Sequence, residues 1–359
     1  MLRVMGLPFF SGGTKKRDQV VAIDLGSRMT KAVQLQRDGA SFKFTGFTLL
    51  DSPSVDKLPA PEALSEHLKK VMEAVGARSR QISLVLGVGD SLLRYADMPA
   101  VAPSELRMML KFGSKNYLQQ DLKDYLFDCH LFVPRPEPGK PVELLKPNSK
   151  ARVLIGGARK QLVDDLQQAA RLAGLSADAV TTSFIGPPNA FESAMPEVNS
   201  KEVIALVDIG YKNTTINILQ SGDLMLSRVV AIGAARITTG IAETLGISEN
   251  EAESAKVQAS PDLEPAMPIV LSPLGRELRA SIDFFDHQKD KTVSQVFFSG
   301  GSARNNQIIQ ALQVELMVPC QGWNPTANLG IELPPQQRAD LDQVAPQLTV
   351  ALGAALAAF

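Results

Sequence analysis

Two stretches of this chain, far apart in sequence, follow one pattern. The first runs from Val20 through Asp24-Leu25-Gly26-Ser27 to Lys31 and Leu35; the second runs from Val203 through Asp208-Ile209-Gly210 to Thr214, Thr215 and Leu219. In each, an apolar run meets Asp-x-Gly, then a short polar turn, then a second alternating apolar run. The pattern predicts a strand, a tight turn that needs glycine, and an antiparallel return strand. Backbone N–H groups of such a turn can bind phosphate, and a carboxylate beside it can hold the water shell of a magnesium ion. Two copies predict two similar halves facing each other across a nucleotide. A third turn, Ser299-Gly300-Gly301, closes the apolar run from Gln295. Its paired glycines let backbone come close to a flat or charged ligand. Each turn alone could be an ordinary hairpin turn; the ordered set of three is what points to a nucleotide.

At 359 residues the chain is too long for one simple core, so two lobes or more are expected. A formal net charge of -1 gives no basis for nucleic acid as a partner. Cys129 and Cys320 sit in no metal or redox spacing, and the histidines add no ligand cluster. Both cysteines are expected as buried small hydrophobes in a reducing cytoplasm. The apolar N-terminus, with Phe9 and Phe10 before Lys15-Lys16-Arg17, is too short for a membrane span and has the wrong order for a signal peptide. A flexible tail is expected there, with a weak lipid-surface anchor as the alternative. The closing stretch from Leu348 to Phe359 is rich in alanine and is expected as a core helix, because small side chains permit close packing.

Along the chain, residues 20–50 read as three strands, residues 62–75 as a helix ended by Gly76, and residues 82–86 as a buried strand. A strand to Pro99, a helix from Ser104, a strand from Tyr125, a proline-rich loop over 134–150, a strand from Arg152 and a helix over 161–173 form an inserted unit. After the second hairpin, helices are expected over 235–245, 249–259 and 275–289, with a proline-rich connection over 261–268. The expected organisation is an N-terminal tail (1–18), lobe 1 (19–85, 174–200, 341–359), the inserted subdomain (86–173), lobe 2 (201–232, 292–340) and a subdomain of lobe 2 (233–291). Strands and helices mixed in this way describe an α/β protein rather than a bundle.

The ordered motifs resemble the actin/Hsp70/sugar-kinase ATPase fold, an α/β, ribonuclease H-like architecture of two lobes around a nucleotide cleft. Within it the chain resembles the PilM family of actin-like type IV pilus assembly proteins, which is related to FtsA. The likeness is carried by Ala22-Ile-Asp24-Leu-Gly26-Ser27 with Lys31, Asp97-Met98-Pro99, Ala169-Ala-Arg-Leu-Ala-Gly174, Asp208-Ile-Gly210, Ser227-Arg-Val-Val, Leu245-Gly-Ile-Ser with Glu253 and Lys256, Ser299-Gly-Gly-Ser-Ala-Arg304 and Val350-Ala-Leu-Gly353. It covers nearly all of the chain from about Gln19.

The resemblance implies ATP with Mg2+ between the lobes. Asp24 and Asp208 would orient magnesium-bound waters and would be the catalytic residues of any hydrolysis. Gly26, Ser27, Gly210, Thr214 and Thr215 would line the phosphates, and Lys31 would reach one as a point charge. Gly300, Gly301 and Arg304 would border the adenosine, while Glu253 and Lys256 would contact ribose and base. Family members carry acids on the interlobe connection, where this chain has Val180-Thr-Thr-Ser183-Phe184 with none. A hydroxyl is a poor general base near neutral pH, so hydrolysis is expected to be slow or absent. Tyr211-Lys212-Asn213 stand where small residues are usual, so Tyr211 is expected to crowd the terminal phosphate or Lys212 to point to solvent.

The implied partner is the short cytoplasmic tail of a PilN-like bitopic inner-membrane protein, held in an apolar groove beside the inserted subdomain. Leu106, Met109, Leu110 and Gly113 share a helix face in that subdomain and are expected to pack on its own sheet. Other pilus platform components and self-association are further partners that the family admits. The resemblance places the chain in the cytoplasm at the inner membrane, serving a pilus or a related type II secretion platform. Two alternatives are a small-molecule kinase of the same fold, which lacks a candidate acid here, and an FtsA-like filament former, which would carry a C-terminal membrane helix.

Overall fold

The computed structural model describes residues 5–11, 17–54, 56–132, 149–289 and 291–359. The first half contributes β1 (Phe10–Ser11), β2 (Gln19–Leu25), β3 (Met29–Asp38), β4 (Ser41–Asp51) and β5 (Gln81–Leu86). An inserted unit supplies β6 (Ser91–Pro99), β7 (Tyr125–Leu131) and β8 (Lys150–Arg159), and the chain returns as β9 (Ser176–Thr182). The second half supplies β10 (Val203–Ile209), β11 (Thr214–Gln220), β12 (Asp223–Val230), β13 (Gln295–Gly300), β14 (Cys320–Gly322) and the short β15 (Gly330–Ile331).

The two large sheets repeat one design. In the first, β2, β3 and β4 form an antiparallel meander, and β5 then β9 add in parallel on the other side of β2. In the second, β10, β11 and β12 form the meander, and β13 then β14 add in parallel beside β10. The first hairpin pairs Asp24 with Lys31, and the second pairs Asp208 with Thr215. The expected duplication is therefore present strand for strand. The inserted unit is a third antiparallel sheet, β6-β8-β7, backed by the helix Pro103–Leu118. Leu106 and Leu110 are buried against that sheet as expected, while Gly113 leaves helical geometry and marks a kink. The expected proline-rich loop of this unit lies almost wholly in residues 133–148, outside the described residues.

Local chemistry sets the helices. Pro61 opens the helix Pro61–Val75, Gly76 ends it at φ 71°, and Leu64, Leu68, Val71 and Val75 are buried at helical spacing. Ser248 and Glu251 cap the helix Glu249–Gln258 reciprocally. One helix exceeds its expectation: it spans Met267–Lys289 rather than starting at Gly275. Pro268 sits in the first turn, where no donor is needed, and Leu271, Leu274, Leu278, Ile282 and Phe285 carry one buried stripe past Pro273. That stripe outweighs the single backbone bond lost at the inner proline.

The lobes share a core. Phe191, on the connecting helix Gly186–Ala194, is fully buried, with ring centroids 4.8 Å from Phe297 and 5.0 Å from Trp323 of the second half. The closing helix Thr349–Leu356 packs on this connecting helix and on β2 and β3, and all of its residues are buried. The inserted sheet is braced on lobe 2, where Tyr95 Oη donates to the Leu224 carbonyl at 3.1 Å and Arg152 Nη2 to the Met225 carbonyl at 2.7 Å.

Two expectations need correcting. The N-terminal segment does not trail free: Met5, Leu7 and Phe9 are buried, and β1 pairs antiparallel with β9. Its apolar side chains find a groove on the first lobe, which outweighs the entropy of a loose end, and Phe9 is covered by protein rather than available to lipid. Cys320 is partly covered rather than buried, with its Sγ donating to the Val318 carbonyl at 3.2 Å. Burial still pushes both thiols up to about 12, which leaves them unreactive near neutrality.

Phe191→Ala is expected to destabilise the chain by about 3–5 kcal/mol, because the void opens between the lobes and neither half can close it alone. Urea unfolding read by Trp323 fluorescence measures this, as a lowered midpoint.

Candidate functional site

The two hairpins face one cleft of about 430 Å³ between the lobes. Its size suits a nucleotide-sized ligand. Asp24, Gly26, Ser27 and Lys31 line it from the first hairpin, and Asp208, Gly210 and Thr215 from the second. Glu253, Lys256, Gly300, Gly301 and Arg304 complete the predicted lining. Thr214 is the exception: it is fully buried and its Oγ1 donates to the Ile232 carbonyl at 2.6 Å. Side chains alternate along a strand, so Thr214 and Thr215 face opposite sides and only Thr215 reaches the cleft.

Lys31 lies at the centre of the charge arrangement. Its Nζ donates to Asp24 Oδ2 at 2.9 Å, and both side chains are largely covered. Burial by itself would lower the Lys31 ammonium, but the Asp24 charge and hydrogen bond, with the Asp208 charge, outweigh it and hold the group above the ordinary lysine range. Asp208 accepts from Ser299 Oγ at 2.8 Å. Burial raises the Asp208 carboxyl above the usual range; Ser299 and Lys31 oppose the rise, while Asp24 adds to it.

Backbone geometry keeps the cleft floor bare. A Cβ at Gly26 would fall 2.5 Å from the Met29 carbonyl oxygen and 2.9 Å from Lys31 Nζ. Gly300 has φ +89°, and a Cβ there would meet the Ile209 carbonyl oxygen at 2.3 Å. Neither position accepts a side chain without moving the hairpin beside it. Ser183 and Ser302 also line the cleft, and each has a buried hydroxyl without a hydrogen-bond partner in the protein. Buried polar atoms are nearly always paired, so two unpartnered hydroxyls in residues that line one cleft are unusual. The glycine turns, a largely covered ammonium and two carboxylates fit a phosphate chain with its cation. Among the described residues no three His, Cys, Asp or Glu side chains cluster as direct metal ligands; the Asp24 and Asp208 pair suits a hydrated ion instead.

On the far wall, Lys256 Nζ donates to Thr238 Oγ1 at 2.6 Å, Glu253 Oε2 at 2.7 Å and the Ala234 carbonyl at 3.2 Å. Burial pulls the Lys256 ammonium below the lysine range against the pull of Glu253, and Arg28 lowers it further. Burial alone would raise Glu253, yet its hydrogen bonds with Lys256 and Thr238 bring it below the usual range. Both residues reach the cleft as expected, already tied to one another.

The sequence did not disclose how the hairpins meet. Arg28 Cζ stands 5.2 Å from the centroid of the Tyr211 ring, and Lys212 Nζ pairs with Asp56 Oδ1 at 3.0 Å. Tyr211 is thus stacked by the opposite hairpin and Lys212 is tethered across the cleft mouth. A further turn, Gly87-Val88-Gly89-Asp90, also lines the cleft. Its Gly-x-Gly after the strand 82–86 was the available signal.

Two sheets of matching strand order, each presenting an Asp-x-Gly hairpin to a shared cleft, define the actin-like ATPase fold class. The chain belongs to the family of the type IV pilus assembly protein PilM, whose family model matches residues 22–359. Among solved structures it is similar to the PilM-PilN type IV pilus biogenesis complex, at TM-score 0.80 and 20% identity, covering 96% of this chain and 99% of that one. Weaker likenesses are to the ethanolamine utilization protein EutJ of Carboxydothermus hydrogenoformans (TM-score 0.52, 13% identity, 96% of this chain and 91% of that one) and to MreB 5 of Spiroplasma citri bound to AMPPNP (TM-score 0.51, 11% identity, 94% and 95%). Cell division protein FtsA of Bacillus subtilis is 33% identical over 105 residues, 29% of this chain and 23% of FtsA, so the match spans under a quarter of that protein.

A carboxyl whose folded-state affinity for protons is raised supports the fold below its unfolded pKa, and that support is lost as pH rises through the folded value. Asp208→Asn is therefore expected to raise the thermal midpoint at pH 8 and to change it little near pH 4. Calorimetric melting at the two pH values reads the difference.

Proposed function

We propose that this chain is a nucleotide-clamped scaffold of type IV pilus assembly, holding ATP with magnesium between its lobes and the cytoplasmic tail of a PilN-like inner-membrane protein on its surface. The observation that carries the nucleotide reading is the pair of carboxylate-bearing hairpins, one per lobe, facing one cleft. Bound magnesium would screen the phosphate charge and bring its own waters. Asp24 and Asp208 would accept hydrogen bonds from those waters. The Gly26, Ser27 and Gly210 turns, with Thr215 rather than Thr214, would donate to phosphate oxygens, and Lys31 would add a point charge. Gly300 and Gly301 would let backbone approach the adenosine, with Glu253, Lys256 and Arg304 beside it.

Ser183 is the side chain that the interlobe connection offers to the cleft. Its hydroxyl can donate a hydrogen bond but cannot draw a proton from water near neutral pH. Nucleotide therefore acts by favouring the closed arrangement of the lobes through differential affinity, and turnover is incidental. The PilN-like partner is supported by family membership and by the PilM-PilN complex that the fold matches. Attachment to the cytoplasmic face of the inner membrane would come through that partner; among the described residues no helix is long and apolar enough to cross a membrane.

Calorimetric titration of ATP with and without magnesium tests this, with phosphate release followed on the same sample. Binding is expected to need magnesium and to weaken at least tenfold in Asp208→Asn. Phosphate release is expected at or below the ~10⁻³ s⁻¹ of an unassisted GTPase. A folded chain that binds no nucleotide contradicts the clamp. ADP formation stimulated by an added small molecule would favour the kinase alternative.

A further inference from the structure

We propose that Arg28 binds a phosphate of the cleft's ligand and that Tyr211, from the opposite lobe, is the residue that positions it. This rests on the reading above that the cleft holds a phosphate chain, and it adds one side chain from each hairpin tip to that reading.

Both tips are fixed by their backbones. In the first hairpin the Arg28 carbonyl accepts from Ser52 N–H at 2.8 Å. In the second, the Gly210 carbonyl accepts from Ala234 N–H at 2.8 Å and the Tyr211 carbonyl from Ala235 N–H at 3.0 Å. That tip is thereby pinned to the start of the helix Ala234–Leu245. Gly233 permits the close approach, since a Cβ there would fall 2.4 Å from the Tyr211 carbonyl oxygen. The two side chains leave anchored points on opposite lobes and meet with Arg28 Cζ over the Tyr211 ring, 5.2 Å from its centroid.

What Arg28 lacks is an acceptor. Lys31 sits against Asp24, Lys212 against Asp56 and Lys256 against Glu253. Arg28 lines the same cleft, yet it makes no hydrogen bond or ion pair among the described residues. A guanidinium over an aromatic face keeps its in-plane N–H donors free, and those donors match phosphate oxygens two at a time. Tyr211 supplies the face. Its hydroxyl makes no hydrogen bond among the described residues, so the ring is the part in use. Tyr211 then supports a phosphate ligand instead of crowding it, the opposite of what its bulk suggests in the sequence.

The charges divide the cleft into two ends. Asp24, Lys31 and Asp208 act on one another at the carboxylate end. Arg28 acts at the other end: burial lowers the Lys256 ammonium and the Arg28 charge adds to this, while burial would raise Glu253 and the Arg28 charge helps to hold it down. Lys31 thus serves the phosphates beside the cation, and Arg28 serves the stretch bordered by Glu253 and Lys256. Because Arg28 belongs to the first lobe and its platform to the second, the donor fork is assembled only when the lobes are together. Phosphate affinity and closure are coupled through this one contact.

Calorimetric titration of ATP and of inorganic tripolyphosphate, each with magnesium, against the full-length chain and folded variants tests the pairing. Arg28→Ala is expected to weaken binding about tenfold, the worth of a hydrogen-bonded charge. Arg28→Lys, which keeps the charge but not the planar fork, is expected to lose most of the same factor. Tyr211→Ala is expected to cost roughly three- to fivefold, and Tyr211→Phe, which keeps the ring, to retain the parent's affinity within about twofold. Arg28→Ala with Tyr211→Ala is expected to bind no worse than Arg28→Ala alone, because a positioning residue has nothing left to position. Arg28→Lys and Tyr211→Phe preserve most of the packing, so their contrast stands even where an alanine variant does not fold. Binding of ATP that no variant changes, losses that multiply in the double variant, or tighter binding in Tyr211→Ala overturns the pairing while the nucleotide reading stands. If tripolyphosphate shows the expected pattern and ATP does not bind, the pairing stands and the nucleotide reading falls. If neither ligand binds the folded parent, both fall.

Discussion

One buried ammonium shared by two carboxylates sets the terms for the rest of this molecule. Asp24 and Lys31 sit opposite each other on β2 and β3, and Asp208 enters the same field from the other lobe. The Asp24 charge adds to the rise of the Asp208 carboxyl, and Lys31, paired with Asp24, opposes it. The second hairpin has Thr215 at the position of Lys31, so only the first hairpin pairs its carboxylate with a lysine across the two strands. Two carboxylates suit a hydrated divalent cation, while the glycine turns suit the anion that accompanies it. Around this point the lobes are tied at the mouth by Arg28 on Tyr211 and Lys212 on Asp56, and at the base by Phe191 between Phe297 and Trp323.

The sequence disclosed what depends on local chemistry. The alternation of Val20 to Leu35 and of Val203 to Leu219, broken by glycine at one place in each, was enough to predict both hairpins and the facing halves. Gly76 and Gly174 ended helices where expected, both with positive φ. What stayed hidden depends on neighbours. Met5, Leu7 and Phe9 alternate like a strand, yet so short a strand has no stability until β9 and the Gly156 slot are beside it. Prolines at 261, 265 and 268 suggested a connection, while the buried stripe that extends the helix to Met267 became meaningful only against β11 and β12. Thr214 and Thr215 could not be separated by composition; register decided between them. The Arg28–Tyr211 contact joins residues from two lobes and leaves no mark in either hairpin alone.

Family membership and geometry together give a coherent account of an ATPase fold that serves as a scaffold. Two hairpins, the double glycine, a lysine and two carboxylates line one cleft. On the interlobe connection the residue that lines the cleft is Ser183, which carries no acid. Two residues earlier, inside β9, Thr181 Oγ1 donates to the Leu7 carbonyl of the N-terminal segment, so that segment and the interlobe cleft both border the end of this strand.

The most direct test of the central claim is amide hydrogen exchange with and without magnesium and a non-hydrolysable ATP analogue. A clamp held by both lobes predicts slower exchange at residues 26–29, 210–213 and 300–302 together, because one ligand closes all three turns. Protection confined to a single hairpin, or to none with nucleotide in excess, would contradict the account.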